Sequence, residues 1–424
     1  MEKIMGKLCI IGIALFLMVA AWSACGEDSI NNEVVESDST QSDLEVGDQG
    51  VSAQADITSS TPVVESDPTP VKQNEIPPEL LGVGGWINAD PFTLESKRGS
   101  VVLVDFWTYT CVNCIRTFPY LKAWHENYSD AGLVIVGVHT PEFEFEKIYD
   151  NVAEAVANFG IKYPVVQDNQ YATWDAFENK AWPAKYLIDK DGEVRYVHFG
   201  EGNYSVTEQR IRELLSETGA DIANIDISSY EEPIVAKDAR TGDMNVSQTR
   251  ELYLGYKRNY ILAMSEQSQP PYIRHNEYYG QGAMDSDVDY TDPGEHHNQF
   301  VYLHGLWRNE PEKVVHARNT ENNEDYILIM FYATSVNAVM SSRTTDSFIV
   351  TLTLDGSPMN PEQAGADVSF DDDGNSYVTV NEPRMYRLVN QDKFTSHELK
   401  LSSNSDKFSV FAFTFGAYVG GEPN

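Results

Sequence analysis

The chain has 424 residues, of which 42% are hydrophobic and 11% aromatic, which is enough apolar side chain to build folded cores. Its 65 acidic residues outnumber 30 lysines and arginines, and the formal net charge is −35. Because nucleic-acid binding needs a cationic surface that displaces phosphate counterions, this charge excludes a nucleic-acid partner. Anionic lipid head groups are repelled in the same way, so we interpret the charge as a source of solubility.

The first 25 residues have the pattern of an export signal with lipid attachment. Lys3 and Lys7 flank the start of an apolar run at 8–21, which is short for a membrane span and matches the core of a signal peptide. Small residues before Cys25 resemble a bacterial lipobox, in which the cysteine is lipidated. We therefore expect an exported chain, lipid-anchored through Cys25 at the extracytoplasmic face of a bacterial membrane; an ordinary cleaved signal is the alternative.

Residues 26–80 are predicted to form a disordered acidic tether. Acidic residues, Ser, Thr, Gln, Asn and Pro dominate the segment, Lys72 is its one basic residue, and it contains no aromatic residue. Such a composition cannot bury enough apolar surface to offset the entropy of ordering, and its like charges extend the chain. The tether would hold a folded body away from the membrane.

Residues 81–220 alternate between strand and helix patterns. The near-continuous apolar run at 101–106 is typical of a strand buried on both faces, and a helical stretch follows it. A second buried strand is predicted at 133–138, and an Asp-Gly turn joins strands at 184–188 and 194–199. This order of elements predicts an α/β fold with a mixed sheet.

Cysteine usage in this domain indicates redox chemistry. Cys9 and Cys25 belong to the signal, so Cys111 and Cys114 are the cysteines of the predicted folded body. Two cysteines three positions apart close a loop too short to stabilise a fold, and a zinc site would need two further ligands at suitable spacing. A C-x-x-C pair at a strand-to-helix turn is instead typical of a redox-active dithiol.

The position of the pair predicts a role for each cysteine. At the start of its helix, Cys111 would lie where unpaired N–H groups and the helix dipole favour the thiolate. We therefore assign Cys111 as the nucleophile, and Cys114, one turn further in, as the thiol that resolves the mixed disulfide. No metal and no cofactor besides the Cys111–Cys114 pair is expected.

The sequence around the two cysteines resembles a known family. The segment 104–107, followed by the C-x-x-C pair, is similar to the strand and active-site turn of thioredoxins. Residues 84–219 resemble the thioredoxin-fold domain of the TlpA/ResA-like, AhpC/TSA-type redoxin group. Similarity to the extracytoplasmic part of DipZ-type proteins is carried by the segments 106–114, 137–142 and 182–189.

This resemblance implies further site residues. Pro183 would be a cis-proline facing the disulfide, and Asp105 would be the buried acid that moves a proton to or from the inner thiol. Trp107 belongs to the matched motif and is included in the site, although Trp107 and Trp182 could equally be packed aromatic residues. A structural role for Asp105 without proton transfer also stays open.

Three acidic residues follow the strand at 133–138. They are Glu142, Glu144 and Glu146. Charged residues are mostly solvated. We therefore interpret this group as an exposed acidic face rather than a second proton relay.

Residues 244–424 are predicted to form an all-β domain, joined to the first domain by a linker at 221–243. Apart from a helical segment at 249–256, short strand patterns separated by turns dominate, which indicates a β-sandwich. The domain resembles the jelly-roll, galactose-binding or carbohydrate-module-like C-terminal domain of DipZ-type proteins. The segments that carry this resemblance are 251–256, 306–307, 354–356 and 411–416.

The sequence does not decide which ligand the β-domain binds. Aromatic residues that could either stack on a sugar ring or fill the core are Tyr253, Tyr256, Tyr278, Tyr279 and Trp307. Asp285, Asp287 and Asp289 alternate and could bind Ca²⁺, but Tyr290 stands where an EF-type loop needs glycine.

Together these patterns predict an extracytoplasmic, membrane-tethered thiol–disulfide oxidoreductase that reduces the disulfides of exported proteins. Its electrons would come from a membrane thiol reductase of the CcdA/DsbD kind. Two alternatives stay open. One is a thiol peroxidase of the AhpC/TSA type, in which Cys111 attacks peroxide, and the other is a carbohydrate-binding protein with an accessory redox domain.

Overall fold

A computed structural model describes residues 75–227, 234–238, 247–264, 269–342 and 346–419. The predicted signal peptide at 1–25, its Cys25 and the tether as far as residue 74 lie outside the described residues. Within the described ranges, no helix has both the length and the apolar character needed to cross a bilayer. The two folded domains belong to the same structural unit.

The first domain is a six-stranded mixed sheet with four helices. Its strands are β1 (Gly84–Ile87), β2 (Val101–Trp107), β3 (Leu133–His139), β4 (Val165–Gln167), β5 (Ala184–Ile188) and β6 (Val194–Phe199). Its helices are α1 (Val112–Tyr128), α2 (Tyr149–Asn158), α3 (Ala172–Ala176) and α4 (Tyr204–Glu217), with short 3-10 turns at Glu95–Lys97 and Glu144–Lys147. The strand order is β1-β4-β3-β2-β5-β6. Strands β2, β3 and β4 are parallel to one another, and β5 runs antiparallel to both of its neighbours, β2 and β6. This arrangement is that of a thioredoxin fold. The predicted α/β fold is confirmed.

Strand β2 lies at the centre of this sheet and is buried along its whole length, as its apolar run predicts. Val101, Leu103 and Trp107 pack in the core that contains α1, whereas Val102 and the other even-numbered residues pack in the core on the opposite face. Because side chains alternate along a strand, Asp105 faces the same side as Trp107, beneath α1.

The second domain is built from antiparallel strands and one short helix. Its strands are β7 (Leu252–Tyr253), β8 (Asp287–Tyr290), β9 (Val301–Asn309), β10 (Val314–His316), β11 (Tyr326–Ser342), β12 (Phe348–Leu354), β13 (Ser369–Phe370), β14 (Ser376–Val380), β15 (Arg384–Ser402) and β16 (Phe408–Gly416). The helix is α5 (Tyr256–Met264), and 3-10 turns lie at Asn276–Tyr279 and Pro361–Gln363. The all-β prediction is confirmed, but the predicted helix at 249–256 is wrong: β7 occupies that segment and α5 begins at its last residue.

The long strand β11 joins the parts of this β-domain. Along one side it pairs with β15, and along the other it pairs first with β9 and then with β16. Since β16 also pairs with β10, and β10 with β9, the pairings form a closed ring. Buried side chains of this ring and of the neighbouring strands β12, β14 and β15 form a common apolar core.

Parts of the predicted tether and linker are folded. Residues 75–80 contact the first domain, where the Glu79 carboxylate accepts hydrogen bonds from the N–H groups of Leu94 and Glu95, each at 2.7 Å. In the predicted linker, Ala236 is fully buried against the β-domain. Composition misses both because a few main-chain contacts are enough to order a polar segment.

The β-domain packs against the first domain near the start of α1. Phe411 contacts the rings of Phe143 and Phe145 with centroid distances of 5.1 and 4.9 Å. Tyr253 and Met385 are buried in the same core as α1. This apolar interface positions the β-domain beside the site that follows.

Gly365 offers a test of packing in the β-domain. A Cβ at this position would lie 2.3 Å from the carbonyl oxygen of Arg387, which is main chain of β15 and cannot move cheaply. We expect Gly365→Ala to lower the free energy of unfolding by about 2 kcal/mol through overpacking. Denaturant titration measures this, with Gly84→Ala as the control because its Cβ would meet nothing within 4 Å. Equal losses in the two variants would contradict the prediction.

Candidate active site

Cys111 and Cys114 lie at the start of α1. Cys111 is the N-cap residue, and its Sγ accepts a hydrogen bond from the N–H of Cys114 at 3.2 Å. The two Sγ atoms are 2.7 Å apart. Cys111 is half-buried and Cys114 is fully buried. A substrate can therefore reach the first sulfur, whose negative charge the main-chain donor would stabilise.

The inner thiol is held in its neutral form. Burial raises the pKa of Cys114 well above the usual thiol value, and the adjacent Cys111 raises it further. Only a thiolate attacks a disulfide efficiently. Cys114 therefore needs a neighbouring base before it can act as a nucleophile.

A buried carboxyl lies beneath α1. Asp105 on β2 faces Lys185 in the register of β5, with 3.2 Å between Oδ1 and Nζ, and both side chains are buried. Burial raises the pKa of Asp105, although the Lys185 charge opposes the rise. The charge of Asp105 in turn raises the pKa of Cys114, so the two groups are electrostatically linked.

Sequence reasoning missed Lys185. The available signal was a single lysine inside the otherwise apolar strand at 184–188. A charged residue in such a strand is buried only when it is paired, which implies an acidic partner on a neighbouring strand.

The interpretation of Glu146 as part of an exposed acidic face is wrong. Glu146 is fully buried, whereas Glu144 keeps 66% of its side chain exposed. The Glu146 carboxylate accepts hydrogen bonds from Oγ1 and N–H of Thr110, at 2.6 and 3.3 Å, and from N–H of Phe143 at 2.9 Å. These hydrogen bonds connect Thr110, the residue before Cys111, to the turn that follows β3.

Glu146 should make stability depend on pH. Burial, with the charge of Glu142, raises the pKa of Glu146 from 4.5 to about 7 despite the hydrogen bonds from Thr110. The folded protein thus binds this proton more tightly than the unfolded chain does. The resulting stability is complete below pH 4.5 and is lost as the pH rises through about 7.

We expect wild type to lose up to about 3 kcal/mol of unfolding free energy from this group between pH 4.5 and 8. Glu146→Gln keeps an acceptor for Thr110 but cannot ionise, so its stability should vary less with pH. Denaturant unfolding at several pH values measures the difference, with the exposed Glu144→Gln as the control. Equal pH slopes in wild type and Glu146→Gln would show that the hydrogen bonds donated by Thr110, by Phe143 and by the N–H of Glu142 hold the group ionised.

Trp107 lies in the core and not in the lining of the cleft. It is fully buried, and its ring contacts Phe118 and His139 with centroid distances of 5.2 and 4.9 Å. Burial lowers the pKa of His139 to about 3, so this imidazole is neutral. The geometry favours the packing role for Trp107 that the sequence left open.

Cys111 opens into a cleft of about 200 Å³ between the two domains. The first domain contributes Thr110, Cys111, Asn113, Glu142 and Trp182. The β-domain contributes Glu251, Tyr253, Arg258, Val339, Ala412 and Thr414. The Trp182–Pro183 peptide bond is cis, as the family resemblance implies, and Pro183 is buried. Motif-based reasoning missed this second wall of the cleft because it treats each domain separately.

The candidate sugar-stacking residues of the β-domain do not form an exposed platform. Three of them are buried, namely Tyr253, Tyr278 and Trp307. Tyr256 and Tyr279 are half-buried. Stacking on a sugar needs an accessible ring face, so these five residues favour the core-filling interpretation.

Two of the three candidate calcium ligands are engaged elsewhere. Asp287 pairs with Arg308 at 3.1 Å, and Asp285 accepts a hydrogen bond from the Tyr256 hydroxyl at 3.1 Å. Across the part of the chain that the structure describes, no three His, Cys, Asp or Glu side chains form a group that could hold a metal ion.

Comparison with known proteins follows the same division into two domains. Residues 88–215 match the family model described as Redoxin, and residues 249–416 match the model described as Thioredoxin like C-terminal domain. The chain is 34% identical over 345 residues to Protein DipZ of Mycobacterium bovis, a match that covers 80% of this chain and 42% of that protein. This chain therefore spans less than half the length of that relative.

Two further comparisons concern the first domain. The chain is 31% identical over 141 residues to the thiol-disulfide oxidoreductase YkuV of Bacillus subtilis, covering 33% of this chain and 95% of that protein. Among solved structures, a putative thiol:disulfide interchange protein DsbE from Chlorobium tepidum matches with a TM-score of 0.31 and 24% identity. That match covers 34% of this chain and 97% of the other.

Proposed function

The chain belongs to the family of thioredoxin-fold thiol–disulfide oxidoreductases, and we propose that it reduces disulfides of exported proteins through Cys111 and Cys114. The observation that carries this proposal is the pairing of an accessible sulfur with a buried one. Their Sγ atoms are 2.7 Å apart, and a main-chain N–H at 3.2 Å stabilises charge on the accessible sulfur.

The proposed reaction has two exchange steps. The Cys111 thiolate attacks one sulfur of the substrate disulfide, which forms a mixed disulfide and releases the other sulfur as a thiolate. Asp105 then accepts the proton of Cys114. The Cys114 thiolate attacks the Cys111 sulfur and releases the second substrate thiolate. Two electrons pass to the substrate, and the protein is left with a Cys111–Cys114 disulfide.

The proposed location is the extracytoplasmic face of a bacterial membrane. Support comes from the sequence: the signal pattern at 1–25, the lipobox-like surroundings of Cys25 and the acidic tether after it. A membrane thiol reductase of the CcdA/DsbD kind would return the Cys111–Cys114 disulfide to the dithiol.

The reduction potential of the Cys111–Cys114 pair tests the direction of this proposal. Full-length protein is equilibrated with dithiothreitol and glutathione buffers, and the oxidised fraction is measured by thiol labelling. We expect a potential near or below about −250 mV, as in thioredoxin-like donors. A value near about −120 mV would instead indicate an oxidant of exported thiols.

Two observations weigh against the alternative functions. A resolving cysteine beside Cys111 favours exchange over a peroxidase, and a peroxidase would consume reductant only when peroxide is added. The burial of Tyr253, Tyr278 and Trp307 disfavours a sugar-binding platform at those residues.

A further inference from the structure

The β-domain covers the face of the thioredoxin-like domain around Cys111. Val339 and Ala412 of the β-domain are buried and line the same cleft as Cys111 and Trp182. The cleft holds about 200 Å³, and Pro183, which follows the lining residue Trp182 in the chain, is buried. A disulfide on the surface of a folded protein is flanked by chain that this volume cannot contain.

Contacts on more than one side of the cleft fix the β-domain there. Besides the packing of Phe411, the Tyr109 hydroxyl donates to the carbonyl oxygen of Pro383 at 3.3 Å. The Tyr418 hydroxyl donates to Glu201 at 3.1 Å, and the Arg116 guanidinium lies over the Tyr418 ring at 5.1 Å. An interface that combines buried aromatic packing with these polar contacts is typical of a stable arrangement.

The cleft also carries an imbalance of charge. Glu142 and Glu251 both line it, with Arg258 as the facing cation, at 2.6 Å from Glu142. Arg116, whose charge also acts on Glu251, is paired with Glu201 at 3.1 Å. The described lining residues of the cleft therefore include two carboxylates and one cationic side chain.

The two carboxylates compete for one hydrogen-bond donor. The Tyr253 hydroxyl lies 2.9 Å from both Glu142 and Glu251, but a phenol can donate to only one of them. The enclosing protein and the charge of Glu142 raise the pKa of Glu251, which is in contact with solvent. A cationic group that entered the cleft would balance the charge of the second carboxylate.

We propose, building on the function above, that the substrate is a disulfide whose flanking groups are small or extended and carry positive charge. The shared chemistry has two sources: a low-molecular-weight amino disulfide, or a basic, extended segment of an exported chain that has not folded. The β-domain selects this substrate by size, through the volume of the cleft, and by charge, through Glu251 in the lining.

The size of the substrate is tested with full-length reduced protein and three disulfides. These are cystamine, the disulfide dimer of an unstructured peptide with lysines beside one cysteine, and a folded protein with a solvent-exposed disulfide. We expect the folded protein to react at least about a hundredfold more slowly than the faster of the other two. Faster reaction of cystamine identifies the small-molecule source, and faster reaction of the peptide identifies unfolded chain.

Two other outcomes of this test have distinct meanings. Equal rates with the folded protein and the peptide would overturn the size restriction and leave the proposed function standing. Reduction of none of the three disulfides would overturn the proposed function itself.

Charge is tested with small disulfides of matched size: cationic cystamine, neutral bis(2-hydroxyethyl) disulfide and anionic dithiodiglycolate. At low salt we expect cystamine to react at least about tenfold faster than dithiodiglycolate, with the neutral compound as the internal reference. Glu251→Gln should lower the cation-to-anion ratio about fivefold. Glu213→Gln, which removes the same charge from α4, is the matched control and should leave the ratio nearly unchanged. Equal effects of the two variants would assign the preference to the net charge of the chain and overturn the role of Glu251.

Discussion

Replacing Cys111 by serine is expected to abolish disulfide reduction, with turnover at least about a thousandfold below wild type. The serine hydroxyl stays protonated at neutral pH and forms no disulfide, so neither exchange step can begin. The measurement is reduction of a small disulfide by full-length protein with dithiothreitol as the electron source. Cys25→Ser makes the same substitution outside the described residues and should leave turnover of the purified protein unchanged.

Cys114→Ser completes this experiment because it separates the two exchange steps. Cys111 can still attack, but nothing within the protein resolves the product, so a mixed disulfide with the substrate should accumulate. Reduced protein is mixed with the disulfide in the absence of dithiothreitol, which would itself resolve the adduct, and mass spectrometry of the intact protein detects the adduct by its added mass. Full turnover in either variant would be incompatible with the proposed mechanism.

The second large effect is expected at Asp105. Cys114 is buried and its pKa is raised, so it must lose its proton to a neighbouring base before it can attack. Asp105→Asn keeps the size of the side chain but removes that base. We expect the second exchange step to slow about a hundredfold, the usual contribution of a positioned proton acceptor, while the first step is little changed. Quenched-flow mass spectrometry of the mixed disulfide in protein with both cysteines measures the two steps separately.

Lys185→Met provides the control for Asp105. It leaves the carboxyl in place but removes the cation 3.2 Å away, whose charge lowers the pKa of Asp105. The pH at which the second step accelerates should therefore rise in Lys185→Met, whereas Asp105→Asn should lose this pH dependence. If Asp105→Asn releases product at the wild-type rate, Asp105 has only the structural role that the sequence left open.

Local patterns were enough for the central strands β2 and β3, for the hairpin of β5 and β6, and for the position of the cysteine pair. The apolar run of β2 predicts burial on both faces because a strand presents alternate residues to opposite sides. The C-x-x-C spacing places one cysteine at the helix start and the other a turn further in, as the structure has them. Each of these features depends on residues that are close together in the chain.

Burial of individual charged residues could not be predicted in the same way. Glu144 and Glu146 are two positions apart and equally acidic, yet one is exposed and the other fully buried. The difference arises because Thr110, 36 positions earlier, turns its hydroxyl toward Glu146. Composition and spacing carry no information about such a partner.

The sequence by itself determined the thioredoxin-like and all-β character of the two domains and the place of the cysteine pair. Only the tertiary structure decided that the β-domain forms one wall of the cleft and that Asp105 pairs with Lys185. The physical reason is that periodicity reports which face of an element is apolar but not which element covers it. Tyr253 reaches Glu142 across 111 positions of chain, and that contact exists only because the two domains pack together.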